Sequence, residues 1–158
     1  MPADSEGAAP TTLPRTWRPL GARVVAAAAA VILVGTMVVL WILLPASVQE
    51  RFSTLQRATV VAFFAAMVVA LYALFRTSAR ADAAGLMVVN GYRTRRFVWA
   101  EIVRVSFNPN RPWALLDLAD ADTVVVMAIQ NADGARARQS ARELAAVIAE
   151  RSRTGTGS

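Results

Sequence analysis

Three arginines within four residues, Arg93, Arg95 and Arg96, are the side chains of this sequence best placed to bind something. They follow Asn90-Gly91, the dipeptide favoured at the centre of a type I′ hairpin turn. On the returning strand Arg93 and Arg95 then share one face and Arg96 takes the other. Guanidinium groups so arranged suit phosphate or carboxylate oxygens, and near an anionic lipid surface each is worth about 1 kcal/mol. The plainer role of the same cluster is a solvated positive flank that orients a neighbouring membrane segment. Asp117, Asp120 and Asp122 look at first like a cation site. Calcium needs six to eight oxygens at set spacing, and the glycine and distal glutamate of a calcium loop are missing, so an acidic turn is expected. Glu101 has no second carboxylate or nucleophile placed beside it by any motif and reads as a turn or strand-start residue. Arg136, Arg138, Arg142, Arg151 and Arg153 line the polar side of a C-terminal helix without the stacking aromatics that nucleic-acid binding uses, so no nucleic acid partner is expected.

Composition narrows the chemistry further. The 158 residues contain no cysteine and no histidine, which removes thiolate nucleophiles, disulfides, the usual zinc ligands and the usual general base near neutral pH. No phosphate-cradling glycine loop is present either. The expectation is therefore a protein that is not an enzyme, with no catalytic, cofactor-binding or metal residues. The net charge of +6 comes from arginine alone, since no lysine occurs. That usage reads as the codon bias of a GC-rich genome and does not by itself call for nucleic acid.

The apolar residues, 56% of the chain, are concentrated in two runs. Residues 24–44 carry no charge and would make about 31 Å of helix, enough to cross a hydrocarbon core of roughly 30 Å. Twelve of these residues are Val, Ile or Leu. Residues 58–75 form a second uncharged run, bracketed by Arg57 and Arg76, which would reach about 27 Å with both arginines snorkelling to the headgroups. Trp17, Trp41 and Tyr72 stand near the span ends, as aromatic belts do. A cleaved leader does not fit the first run, because leader cores are about 7–15 residues long. Neither run contains the ionisable residue that transport paths use, so an anchor is expected. Pro45 ends the first helix, and Ser47-Val48-Gln49-Glu50 reads as the capping box that opens the second. Ala58, Ala62, Ala66 and Ala70 form a smooth ladder along the second span, and Ala22, Ala26 and Ala30 another along the first. Such ladders permit close helix packing, within the hairpin or in a homo-oligomer. Arg15, Arg18 and Arg23 before the first span, and Arg76 and Arg80 after the second, outnumber Arg51 and Arg57 in the loop. The positive-inside rule then gives a multi-pass protein of the plasma (cell inner) membrane with both termini cytoplasmic.

From residue 81 the pattern changes to period two. Strands are expected at Leu86–Val89, Tyr92–Val98, Ile102–Phe107, Trp113–Leu118 and Thr123–Gln130, with turns at Asn108–Pro112 and Asp120–Asp122. On the third strand Ile102, Arg104 and Ser106 should share one face, opposite Val103, Val105 and Phe107. A final helix, capped by Asn131 or Asp133, presents Ala137, Ala141, Leu144, Ala145 and Ile148 to the core. The segment from Ala81 to Leu86, the hairpin Asn90–Arg96 and the run Trp99-Ala100-Glu101-Ile102-Val103-Arg104-Val105 resemble the small bacterial pleckstrin-homology-like (PH-like) domain of actinobacterial membrane proteins. The resemblance covers about residues 81–152. It implies a curved, partly open barrel of up to seven strands plugged by the C-terminal helix, with Trp99, Glu101 and Ile102 as a packing signature. A strand missing near residues 108–112 would make this a compact variant.

The expected organisation is thus a disordered cytoplasmic segment at 1–20, a two-helix membrane hairpin at 21–80, an α+β PH-like domain at 81–153, and a disordered tail at 154–158. The expected role is a membrane-anchored interaction module facing an anionic lipid or protein partner. The alternative is an accessory subunit or sensor of a membrane transport or envelope complex.

Overall fold

The computed structural model describes residues 12–155, and it ties the two apolar helices into the sheet that follows them. Among the described residues the order is β1 (Arg15–Trp17), α1 (Leu20–Leu43), α2 (Ala46–Gln49), α3 (Thr54–Arg76), β2 (Ser78–Ala81), β3 (Gly85–Asn90), β4 (Arg93–Val98), β5 (Ile102–Ser106), β6 (Trp113–Leu118), β7 (Thr123–Gln130) and α4 (Ala135–Gly155). The strands make two antiparallel sheets, β1-β2-β3-β4 and β5-β6-β7, which are not closed into a barrel. Seven strands and a C-terminal helix are present, two strands more than the sequence shows. The additional pair does not lie near residues 108–112. It flanks the helices, with Arg15 opposite Ala81, Thr16 opposite Arg80 and Trp17 opposite Ala79. The hairpin is therefore an insertion between the first two strands of the domain.

This corrects the boundaries at both ends of the hairpin. Arg15–Trp17 is a strand where a disordered segment is expected, because Trp17 is buried and held by partners remote in sequence. Its indole donates to Glu143 of α4 at 3.1 Å, and Arg15 pairs with the same carboxylate at 2.8 Å. Residues 1–11 and 156–158 of the expected disordered ends lie outside the described residues, and 154–155 belong to α4.

Helices α1 and α3 are each long and apolar enough to cross a bilayer, and almost none of their residues is buried within the chain. Where they run side by side Ala26 is buried and Ala22 and Ala30 are half-buried. Ala58, Ala62, Ala66 and Ala70 are all exposed. Their caps differ from expectation. Ser47–Glu50 belongs to the separate short helix α2, and the capping box is Ser53 with Gln56, each side chain bonded to the other's backbone N–H. Asp133, expected to cap α4, accepts instead from the Gly21 N–H at 2.9 Å. It thus places a carboxylate at the positive end of α1.

The core lies between the sheets and under α4, with Leu86, Leu116, Val126, Ile129 and Leu144 fully buried. On α4 the buried stripe is Ala137, Ala141, Leu144, Val147 and Ile148, while Ala145 is exposed. A bulge between Ile102 and Arg104 breaks the alternation of β5, so Ile102 is buried and Val105 packs against the core from the opposite expected face. Asn90 joins the sheets: its side-chain amide donates to the Val125 carbonyl at 2.6 Å and accepts from the Met127 N–H at 3.1 Å. One side chain thereby imitates a strand residue at the corner where β3 meets β7.

Gly85 is required where β3 passes β4, because a Cβ there would stand 2.1 Å from the Phe97 carbonyl oxygen. Gly85→Ala should therefore cost about 1–3 kcal/mol through forced backbone displacement, read as a lower thermal midpoint. A change with no destabilisation would mean β3 and β4 are further apart at this point. Glu143→Ala removes both anchors of β1 and should raise amide exchange at residues 15–17 while leaving β6 and β7 protected.

Candidate functional site

The arginine hairpin is built on β3 and β4, whose register sets Asn90 opposite Arg93, Val88 opposite Arg95 and Met87 opposite Arg96. The turn differs from the expected type I′. Asn90 is the last residue of β3, and Gly91-Tyr92 occupies the centre, with positive φ (62°) at Gly91 and not at Tyr92. That is the type II′ pattern, in which glycine takes the first central position.

The faces of β4 are as expected, but the three arginines do different things. Arg93 is exposed beside the turn and has no carboxylate partner among the described residues. Arg95 lies 5.1 Å from the ring centroid of buried Phe97 and 3.8 Å from the Asp122 carboxylate, with the Arg95 and Asp122 side chains both half-exposed. Arg96 is bound to Asp82 at 2.9 Å. Asp82 also accepts from the Ala84 and Gly85 N–H groups at 2.9 and 3.0 Å. The Ala84 bond first, then those from Gly85 and Arg96, outweigh desolvation and hold its carboxyl below the ordinary aspartate value. So one arginine of the cluster is free to meet an anion, a second is loosely held, and the third is a structural tie.

The turn leans on the end of α3. The Gly91 N–H donates to Thr77 Oγ1 at 3.3 Å, Thr77 in turn donates to the Ala73 carbonyl at 3.2 Å, and the Tyr92 hydroxyl donates to the Val69 carbonyl. Val69 stands about 10 Å along the helix from Arg76. Arg76 itself lies 5.9 Å from the Tyr92 ring. On the neighbouring helix Arg23 donates to the Phe75 carbonyl at 3.1 Å and stacks 4.2 Å over that ring. The base of the hairpin therefore carries a collar of basic residues, Arg23 and Arg76 at the helix ends and Arg93 next to Tyr92 in the chain. Only Arg93 of this collar belongs to the cluster singled out in the sequence. The roles of Tyr92, Asn90 and Asp133 were missed: the turn pattern marks Asn90 only as a turn residue, and the cap pattern points Asp133 at α4 and not at α1.

The packing signature is brought together. Trp99 packs against the core and donates its indole N–H to the Asp82 carbonyl at 3.1 Å. Glu101 caps the Val98 N–H at 3.2 Å, and Ile102 is buried. The acidic residues are engaged elsewhere: Asp117 pairs with Arg104 at 2.7 Å, and Asp120 accepts from the Asp122 N–H at 3.0 Å. Among the described residues no three groups of metal-ligating type converge.

Two sheets of four and three strands followed by one packed helix are the elements of the family suggested by the sequence, and residues 76–146 match the bacterial PH domain family. This part of the folded unit is thus similar to a bacterial PH domain. The match begins at the last residue of α3 and so takes in β2 to β7 and part of α4, but neither β1 nor the hairpin. An uncharacterized protein of Mycobacterium bovis and two of Mycobacterium tuberculosis are each 44% identical over 62 residues, covering 39% of this chain and 40% of the relative. The chain thus matches about two-fifths of the length of these actinobacterial relatives. No solved structure matches significantly.

The Asp82 tie gives the PH-like domain a defined acid response. Its lowered pKa means that its contribution is complete above the unfolded aspartate value near 4 and fades as pH falls through the folded value. Asp82→Asn should therefore melt below the wild type at pH 6. The two melting curves should converge as pH falls below about 4, and a gap that persists at low pH would show that charge at Asp82 is not its source.

Proposed function

We propose that this chain is a two-pass plasma-membrane protein that holds a PH-like interaction module against the cytoplasmic leaflet. The observation that carries this reading is the insertion of two apolar, uncovered helices between β1 and β2. Both helices enter and leave at one edge of the sheet, so the domain and residues 15–17 share one side of any bilayer the hairpin crosses. The arginine counts favour the cytoplasmic side for that edge.

Held there, the collar of Arg23, Arg76 and Arg93 with Tyr92 would lie at the depth of the headgroups, where a tyrosine and guanidinium groups are favoured. Arg93 is the leading contact for anionic lipid, Arg95 a secondary one, and Arg96 is committed to Asp82. The module is non-enzymatic in this reading and serves a protein or lipid partner. Tethering replaces intrinsic affinity, because it already supplies a high local concentration. A second copy is the partner proposed for the exposed ladder Ala58, Ala62, Ala66 and Ala70. If so, Ala66→Leu should weaken self-association in bilayers more than Val69→Leu does, and equal effects would remove the ladder from the reading.

The native chain has no cysteine, so single cysteines report without background. Cysteine in place of Ser47 should react with an impermeant maleimide on intact cells, and cysteine in place of Thr154 only after permeabilisation. Labelling of the Thr154 variant on intact cells would invert the topology. Release of the protein by alkaline carbonate would refute the membrane reading altogether.

A further inference from the structure

The far end of the hairpin carries a groove distinct from the PH-like domain. It opens between α1 and α3 beside the α2 turn, with a volume of about 530 Å³, in the roughly 300–1,000 Å³ range of small-molecule sites. Met37, Trp41, Phe52, Val61 and Phe64 contribute to its walls, and Arg57 is its single polar lining residue.

Arg57 is held in place rather than free in solvent. Its Nη2 donates to the Gln49 carbonyl at 2.7 Å, and its guanidinium lies 5.4 Å from the Trp41 ring centroid. Gln49 is fixed in turn, donating to the Trp41 and Leu44 carbonyls at 2.9 Å each and so capping the end of α1. Trp41 stacks edge-on against Phe52. Most of the five guanidinium donors remain unspent, and no carboxylate among the described residues is within ion-pair distance of Arg57. The result is a rigid cation at the rim of an apolar slot.

We infer that this groove holds an acyl chain of an anionic phospholipid, with the phosphate headgroup against Arg57. The inference rests on the membrane reading above. A second helix is a poorer occupant, because close helix packing calls for small residues, while these walls are bulky. The alanine ladder of α3 does not line the groove. A flexible hydrocarbon chain fits an irregular wall, and the unpaired arginine complements a phosphodiester whose charge is not already offset by a choline, as it is in a zwitterionic lipid.

Trp41 is a built-in reporter, since Trp17, Trp99 and Trp113 belong to the sheets and their connections. The full chain would be reconstituted in vesicles containing acyl-brominated phosphatidylglycerol or acyl-brominated phosphatidylcholine, and quenching read against a Trp41→Phe baseline. Brominated phosphatidylglycerol should quench Trp41 with about five-fold preference, the factor one arginine supplies near a lipid surface. Arg57→Gln should abolish the preference, Arg57→Lys should retain most of it, and Arg51→Gln, a loop arginine outside the groove lining, should leave it intact. Equal quenching by the two lipids, or equal loss in the Arg51 and Arg57 variants, would overturn the groove assignment while leaving the membrane reading in place. Absence of quenching by either lipid would remove both.

Discussion

The pairing of β1 with β2 is the contact on which the rest of this structure depends. Three residue pairs, from Arg15 with Ala81 to Trp17 with Ala79, fasten the two ends of a 60-residue excursion to each other. Three strand residues would not hold alone. Trp17 adds a buried aromatic surface, and its indole and the Arg15 guanidinium share the Glu143 carboxylate, so β1 is clamped by the sheet on one side and α4 on the other. Around that clamp the two neighbouring helix ends are met by side chains: Asp133 accepts from the Gly21 N–H of α1, Arg23 donates to the Phe75 carbonyl of α3, and Thr77 donates to the Ala73 carbonyl while accepting from the turn. The end groups of long apolar helices are costly to leave unpaired, and here the folded domain and its neighbouring helix pair several of them.

Charge at the candidate surface is allocated by the same geometry. β4 presents arginines to both faces, but one face meets the Asp82 turn and the other meets the Phe97 ring and the Asp122 turn. The cluster that looks uniform along the sequence becomes a graded series, from Arg93 facing outward to Arg96 locked down. Asp82 deserves the larger share of that account, because its side chain shapes the β2–β3 turn while its backbone carbonyl receives Trp99. Arg96 and Trp99, three residues apart in the chain, are thereby both tied to one residue of the preceding turn.

Five strands, the final helix and both apolar helices were legible in the sequence, since each has a clear period or an uninterrupted apolar run. The flanking strands were not. Ser78-Ala79-Arg80-Ala81 alternates for only four residues and uses alanine for its buried positions, which is indistinguishable from the tail of the preceding helix. Arg15-Thr16-Trp17 is shorter still, and its partner is more than 60 residues away. Ser47-x-x-Glu50 and Ser53-x-x-Gln56 both satisfy the capping pattern, and only the break after the short helix α2, which contains Ser47, decides which one opens α3. At the surface, the arginines were visible as residue types. Their partners were not, because Asp82, Asp122 and Phe97 are chosen by register and turn geometry. The arginine at the other end of the hairpin, Arg57, gave no signal beyond its place at the end of a span; its fixed posture comes from Gln49 and Trp41, which the helix turn brings together.

An interrupted domain also has an order of assembly. β1 leaves the ribosome first and stays without a partner while the two apolar helices are made. Antiparallel packing of α1 on α3 then returns the chain to within a few residues of where it began, so the long loop is closed before the sheet has to pay for it. β1 reaches its place beside β2 only when the chain on either side of the helices is brought together, and a chain whose helices fail to associate presents an open sheet edge there. Quality control of such a protein would therefore be able to read the state of the hairpin from the exposed edge of the domain.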